Sequence, residues 1–229
     1  MKRVVKLLLI TSVFTLLVAT SASADSLVVD PVGDFLPTYA GPHNGDLDVV
    51  TTQFTLTGTT FQFAATLNAS IGTTAGAFYV FGIDRGQGTS RFGVITIDGN
   101  SYDASGVLFD SVVVIRPGGQ STVNDLILGT STPLSLDNIA ISGNTILAQV
   151  SASLLPSRGL SFSQYTSNLW PRFAGVTGNS QISDFAPNNN NVQVNAVPEP
   201  TTLLLLGTGL AGVVARVRRR RGSRRREAA

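Results

Sequence analysis

Asp48-Val49-Val50-Thr51-Thr52-Gln53-Phe54-Thr55-Leu56-Thr57-Gly58-Thr59-Thr60-Phe61-Gln62-Phe63-Ala64-Ala65-Thr66-Leu67-Asn68 is the stretch that decides the fold. Val50, Thr52, Phe54 and Leu56 alternate with Thr51, Gln53, Thr55 and Thr57. After Gly58-Thr59-Thr60 the alternation resumes with Phe61, Phe63, Ala65 and Leu67. A period of two turns one set of side chains to a core and the other to water, so 48–57 and 60–68 predict a β-hairpin. Outward from it, strands are expected at 26–30, 76–84, 91–98, 107–116, 121–128, 134–142 and 145–152. Arg85-Gly86-Gln87-Gly88, Asp98-Gly99-Asn100, Pro117-Gly118-Gly119 and Ser142-Gly143-Asn144 supply the turns between them. Val112 to Ile115 is an unbroken β-branched run, which suits a strand covered on both faces. The one helical reading, Ser153 to Ser157, is interrupted by Pro156. The expectation is an all-β domain over 25–187, a two-sheet antiparallel β-sandwich of jelly-roll type. The Asn-rich residues 188–197 read as a polar linker behind it.

The two ends carry different instructions. Lys2, Arg3 and Lys6, the apolar run Leu7 to Val18, and Ala22-Ser23-Ala24 have the form of a secretory signal peptide over 1–24. At the other end, Pro198-Glu199-Pro200 precedes an uncharged apolar stretch, and eight arginines follow, beginning with Arg216, Arg218, Arg219, Arg220 and Arg221. A helix over 201–217 would reach roughly 25 Å, the short limit for a hydrocarbon core of about 30 Å. Snorkelling arginines extend that reach and keep their side of the membrane untranslocated. This order of triplet, apolar helix and basic terminus resembles the PEP-CTERM sorting signal over 198–226. The resemblance implies export, transient anchoring in the cytoplasmic membrane, and recognition of Pro198, Glu199 and Pro200 by a membrane-embedded sorting protease of the exosortase type. The destination it implies is the cell surface or extracellular matrix.

Charge narrows the partners. The whole chain is formally +2, but residues 25–197 hold twelve Asp, five Arg and no Lys or Glu, a formal charge of −7. An acidic exported domain argues against a nucleic-acid ligand. The chain has no cysteine, which removes disulfides, lipid attachment and thiolate metal sites.

One constellation has chemistry to offer. Asp30-Pro31-Val32-Gly33-Asp34 and Asn44-Gly45-Asp46-Leu47-Asp48 place carboxylates on Gly- and Asn-rich loops, with Asp184 available from the far end of the domain. Ca²⁺ takes 6–8 oxygen ligands in loose geometry, so Asp30, Asp34, Asp46, Asp48 and Asp184 are its candidate ligands. Turn capping, which Asp does well, is the competing reading. The pattern of Asp30, Gly33, Asp34, Asp46 and Asp48 resembles β-sandwich domains of the carbohydrate-binding-module-9 and DOMON-like kind. That resemblance implies sugar or haem binding, or a structural calcium. No cofactor other than calcium is expected: His43 is the sole histidine and lies on a loop, and Met1 is the sole methionine. Among the aromatic residues, Trp170 is the candidate for stacking on a sugar, with a core position as its alternative. No nucleophile motif is present and no carboxylate pair is singled out. The expected function is therefore a non-catalytic surface or matrix protein. A calcium-dependent carbohydrate-binding module, with extracellular polysaccharide as partner, is the alternative, and a secreted hydrolase the third reading.

Overall fold

The computed structural model describes residues 27–197 together with Gly207, Gly209 and Leu210. The expected signal peptide, Pro198-Glu199-Pro200, the arginine block and nearly all of the expected helix 201–217 lie outside the described residues. Among the described residues no helix is long and apolar enough to cross a membrane.

Residues 27–197 are built from strands and short 3₁₀ turns. In chain order the strands are β1 (Val28–Val29), β2 (Val49–Thr57), β3 (Thr60–Leu67), β4 (Ala77–Asp84), β5 (Thr89–Ser90), β6 (Val94–Ile97), β7 (Asn100–Asp103) and β8 (Leu108–Phe109). There follow β9 (Ser111–Ile115), β10 (Thr122–Asp125), β11 (Thr130–Pro133), β12 (Ile139–Ser142), β13 (Thr145–Ser151), β14 (Thr166–Phe173), β15 (Val192–Gln193) and β16 (Asn195–Val197). One sheet has the order β1-β2-β3-β13-β12, with β16 on the same outer edge of β2 as β1. The other has the order β11-β10-β9-β4-β14-β15. All pairs are antiparallel except β16 with β2. Two antiparallel sheets with a shared apolar core match the expected all-β class.

The hairpin forms with Phe54 opposite Phe63 and Leu56 opposite Phe61. Its inner face meets the second sheet where Phe63 packs on Phe81 with ring centroids 5.2 Å apart. Phe54, Phe61, Phe63, Tyr79, Phe81, Val113 and Leu169 are all buried in this core. Burying such a side chain stabilises by about 1.5–3 kcal/mol, so these rings are a main support of the sandwich. Val50 departs from the expected alternation. A bulge between Val49 and Thr51 turns Val49 fully inward and leaves Val50 half-buried.

The second sheet is covered on both faces, which explains the Val112–Ile115 run. Val113 and Ile115 face the inter-sheet core, whereas Val114 faces a second cluster with Val80, Trp170, Ile95 and Phe185. The β6–β7 hairpin and the 182–187 segment help to cover that outer face.

Several elements differ from the sequence expectation: β7 and β11 form outside the expected strands, a 3₁₀ turn over Leu136–Asn138 leaves only 139–142 of the expected strand 134–142, and two further differences lie nearer the site. Residues 166–173 form β14, an eight-residue strand inside the second sheet, despite Pro171. Leu169 exchanges both backbone hydrogen bonds with Ala186 (2.9 and 2.8 Å), and two residues on the Pro171 carbonyl accepts from Ser183 N–H (3.2 Å). The proline nitrogen therefore faces the short 182–186 segment and not β4, so no bond of the long ladder is lost. The expected linker, 188–197, is part of the fold. Asn189 accepts from Gly106 N–H (2.7 Å), and Asn191 Nδ2 donates to the Leu108 carbonyl (2.7 Å) and to Thr166 Oγ1 (2.9 Å). β15 then pairs with β14 and β16 with β2. The polar residues that suggested solvent serve as plugs for backbone groups.

Candidate cation centre and the sorting signal

The bulge in β2 also shapes a polar site. It leaves Val49 N–H free to donate to Asp184 Oδ2 (3.0 Å). The other Asp184 oxygen accepts from Phe185 N–H (2.7 Å). Asp30 follows β1, and its N–H donates to the Val50 carbonyl (3.0 Å). The chain then turns at Gly33, whose φ of +84° lies in the left-handed region. The Gly33 N–H donates to both Asp48 oxygens (3.1 and 2.9 Å), which pins the turn against β2.

Asp30, Asp34 and Asp184 thereby converge, with one carboxylate oxygen of each within 4.8 Å of the others. Asp184 is fully buried and Asp30 is 5% exposed. Asp30 Oδ2 and Asp34 Oδ1 are buried without a hydrogen-bond partner. The other Asp34 oxygen has only a long contact with Asn188 Nδ2 (3.4 Å). No arginine reaches the group: the ion pairs among the described residues link Arg85 and Arg158 to Asp110 and Asp125. Burial, then the charges of Asp184 and Asp34, push Asp30 up to about 8. Burial also pushes Asp184 up to about 7, against the stabilising bond from Val49 and with repulsion from Asp34 and Asp48. Buried carboxylates normally have a partner, and once the three are ionised the atoms left over are all acceptors. A cation would supply what the ionised group lacks. The donor set is hard oxygen only, which suits Ca²⁺ and excludes the imidazole and thiolate ligation of transition metals.

The five candidate aspartates do not act as one set. A 3₁₀ turn, Gly45–Leu47, contains Asp46 and is followed at once by Asp48, and it aims the two carboxylates differently. Both Asp46 oxygens are taken by Thr74, from its N–H (2.7 Å) and its hydroxyl (2.6 Å). Asp46 is thus a loop clamp and not a ligand. Asp48 is taken by Gly33 and by Asn68 Nδ2 (2.9 Å), so it braces the turn while adding negative potential. Asp30, Asp34 and Asp184 remain. Asn188, whose side chain contacts Asp34, was hidden from sequence reasoning within an Asn run.

Trp170 does not offer a ring face to a sugar. It is 2% exposed and enclosed by Phe92, Phe109 and Phe185 at centroid distances of 5.2, 5.0 and 6.0 Å. Tyr39, Tyr79 and Tyr165 are buried as well. His43 is exposed and stacks on Phe35 (4.4 Å), away from any carboxylate cluster among the described residues.

The domain's last strand ends at Val197, and the sorting element begins one residue later. Residues 196–220 match the family model of the PEP-CTERM protein-sorting motif. No curated protein matches the chain. The chain thus carries an all-β domain followed directly by a PEP-CTERM sorting motif, the mark of a protein exported and handled by an exosortase-type system in the membrane.

Proposed function

We propose that this is an exported, non-catalytic surface or matrix protein whose β-domain is closed by a Ca²⁺ ion and whose delivery depends on its C-terminal sorting motif. The observation that carries the delivery is the motif at 196–220. The observation that carries the ion is the pair of orphaned, buried carboxylate oxygens on Asp30 and Asp34 beside Asp184.

In this reading Asp30, Asp34 and Asp184 hold the ion, and Asp48 orients the turn beneath it. The ion cross-links the first strand region to the 182–187 segment. It also allows all three carboxylates to ionise together. A catalytic role for the same acids is disfavoured because Asp30 and Asp184 are enclosed, out of reach of a substrate at the surface. In the membrane step, Pro198 and Pro200 keep the segment extended for a protease, because each fixes its own φ and biases its predecessor away from helix. The arginines from Arg216 onward hold the expected helix 201–217 in place from the cytoplasmic side.

The delivery reading is tested by mass spectrometry of the protein from its native host. The expected product lacks the arginine block, and replacement of Pro198-Glu199-Pro200 by alanines keeps the tail attached and the protein in the membrane fraction. An intact arginine-rich terminus on the exported protein refutes processing. The ion is tested separately by melting in calcium and in chelator.

A further inference from the structure

The outer face of the second sheet has a groove of about 330 Å³. Ligand pockets span about 300–1,000 Å³, so it has room for one compact unit. Val80 and Val114 form its floor, and Trp170 lines it. Its mouth is a rank of side chains across three strands. Arg172 on β14 is in register with Phe78 on β4. Arg116, directly after β9, flanks Phe78 from the other side, since Ile115 is in register with Tyr79. The Arg116 guanidinium lies 4.7 Å from the Phe78 ring centroid and that of Arg172 lies 5.9 Å from it.

These charges lack counter-ions. The domain has five arginines. Arg85 and Arg158 are neutralised by Asp110 and Asp125. Arg116 and Arg172 line the groove and Arg91 lies over one of its lining rings, Phe109, at 5.8 Å; none of the three forms an ion pair among the described residues. Arg172 donates to the Gly178 carbonyl (2.7 Å) but keeps a buried Nε without a partner. Burial pushes its guanidinium down from its ordinary value. Trp170 Nε1 is likewise buried and unpartnered.

An acidic domain thus carries two arginines without counter-ions at one aromatic groove. Guanidinium groups fork carboxylates bidentately. Phe78, Val112 and Leu126, the half-buried apolar residues of the lining, accept a C–H face beside such a carboxylate. We propose that this groove binds a carboxylated sugar, a uronic-acid residue, with its carboxylate held by Arg116 and Arg172. This site is separate from the cation centre and does not depend on it.

Trp170 is the chain's sole tryptophan, so its emission reports on this groove alone. The test titrates the full-length protein with trigalacturonate, with the neutral galactose trisaccharide, and with poly-aspartate, each in calcium and in chelator. The expected result is a saturable change with trigalacturonate that weakens with salt and persists in chelator. Arg116→Gln, at an exposed position, weakens binding about tenfold or more, and Arg172→Gln does the same with an unchanged far-UV spectrum. The proposal is overturned by no saturable change, by equal binding of the neutral trisaccharide, or by an Arg116→Gln titration that overlays the parent. Tighter binding of poly-aspartate would instead identify the groove as a peptide site and overturn it equally.

Discussion

Replacing Asp30 by Asn distinguishes a cation centre from ordinary turn capping, because the two ideas predict opposite signs. Asp30 keeps one buried oxygen without a partner and faces Asp184 and Asp34. Without an ion, the folded chain must keep Asp30 protonated or bear the repulsion. Holding a carboxyl neutral near pH 7 against an ordinary value close to 4 costs up to roughly 4 kcal/mol, and solvent screening reduces this to about 1–3 kcal/mol. Asn removes that cost with almost no change of shape. In chelator, Asp30→Asn is therefore expected to melt higher than the parent. With calcium the order reverses. An ion held with a dissociation constant of about 0.1 mM, within the range of extracellular sites, stabilises by about 2.7 kcal/mol at a hundredfold excess. For a domain of this size that is a melting shift of roughly 5–10 °C. The parent gains it and Asp30→Asn does not. The assay is calorimetry on both proteins in about 10 mM calcium and in chelator. A variant that melts lower than the parent in chelator, or that gains as much from calcium, would refute the reasoning.

Three further outcomes follow from the geometry. Asp30 and Asp184 titrate higher in the fold than in the open chain, so the ion-free fold binds more protons between pH values of about 4 and 8. Stability in chelator should accordingly fall as pH rises through that window and flatten in calcium; a rise with pH in chelator contradicts the assignment. Asp110 holds the fully buried Arg85 through Nε (2.6 Å) and accepts from Arg85 and Gln87 N–H (3.0 Å each), so Asp110→Ala should lose about 3–5 kcal/mol in denaturant unfolding. A Cβ on Gly82 overlaps the Trp170 ring, so Gly82→Ala should cost about 1–3 kcal/mol and change Trp170 emission; unchanged stability would mean the ring is free to move.

The sequence made the hairpin legible because one face of it is apolar and the other is not. Phe54, Leu56, Phe61 and Phe63 follow the pleat without interruption. β14 was illegible for the opposite reason. It is covered on both faces, so its pattern Ser167-Asn168-Leu169-Trp170-Pro171 has no alternation, and its proline is excused only by a partner segment that no local pattern reveals. The Asn run 188–191 misled because asparagine bonds backbone equally well in a buried seam and in water. In the site, clustering of carboxylates along the chain was visible but their aim was not. The 3₁₀ turn over Gly45–Leu47 sends Asp46 to Thr74 and Asp48 to Gly33, and Asp184 arrives from 136 residues beyond Asp48. The ion pair of Arg85 and Asp110 had no sequence signature beyond a turn-forming Arg-Gly.

Strand β16 leaves the Pro-Glu-Pro element without slack. Asn195, Ala196 and Val197 are zipped to Thr55, Leu56 and Thr57, so Pro198 starts at the rim of the sheet. On the proposed processing, a protease gripping that triplet meets the body of its cargo at once. Two geometries resolve the crowding: the enzyme has a mouth open enough to abut a folded β-domain, or the seam unzips first. Releasing residues 192–197 would pay out roughly 20 Å of extended chain. The seam is edge-bound, held by two pairs to β14 and three to β2, by the Val194 N–H on the Tyr165 carbonyl (2.8 Å) and by the buried Val194 side chain, so unzipping it takes Val194 out of the core. On the proposed processing, the last six residues of the fold are therefore also a tether, whose grip on the sheet sets how close the domain lies to the sorting element.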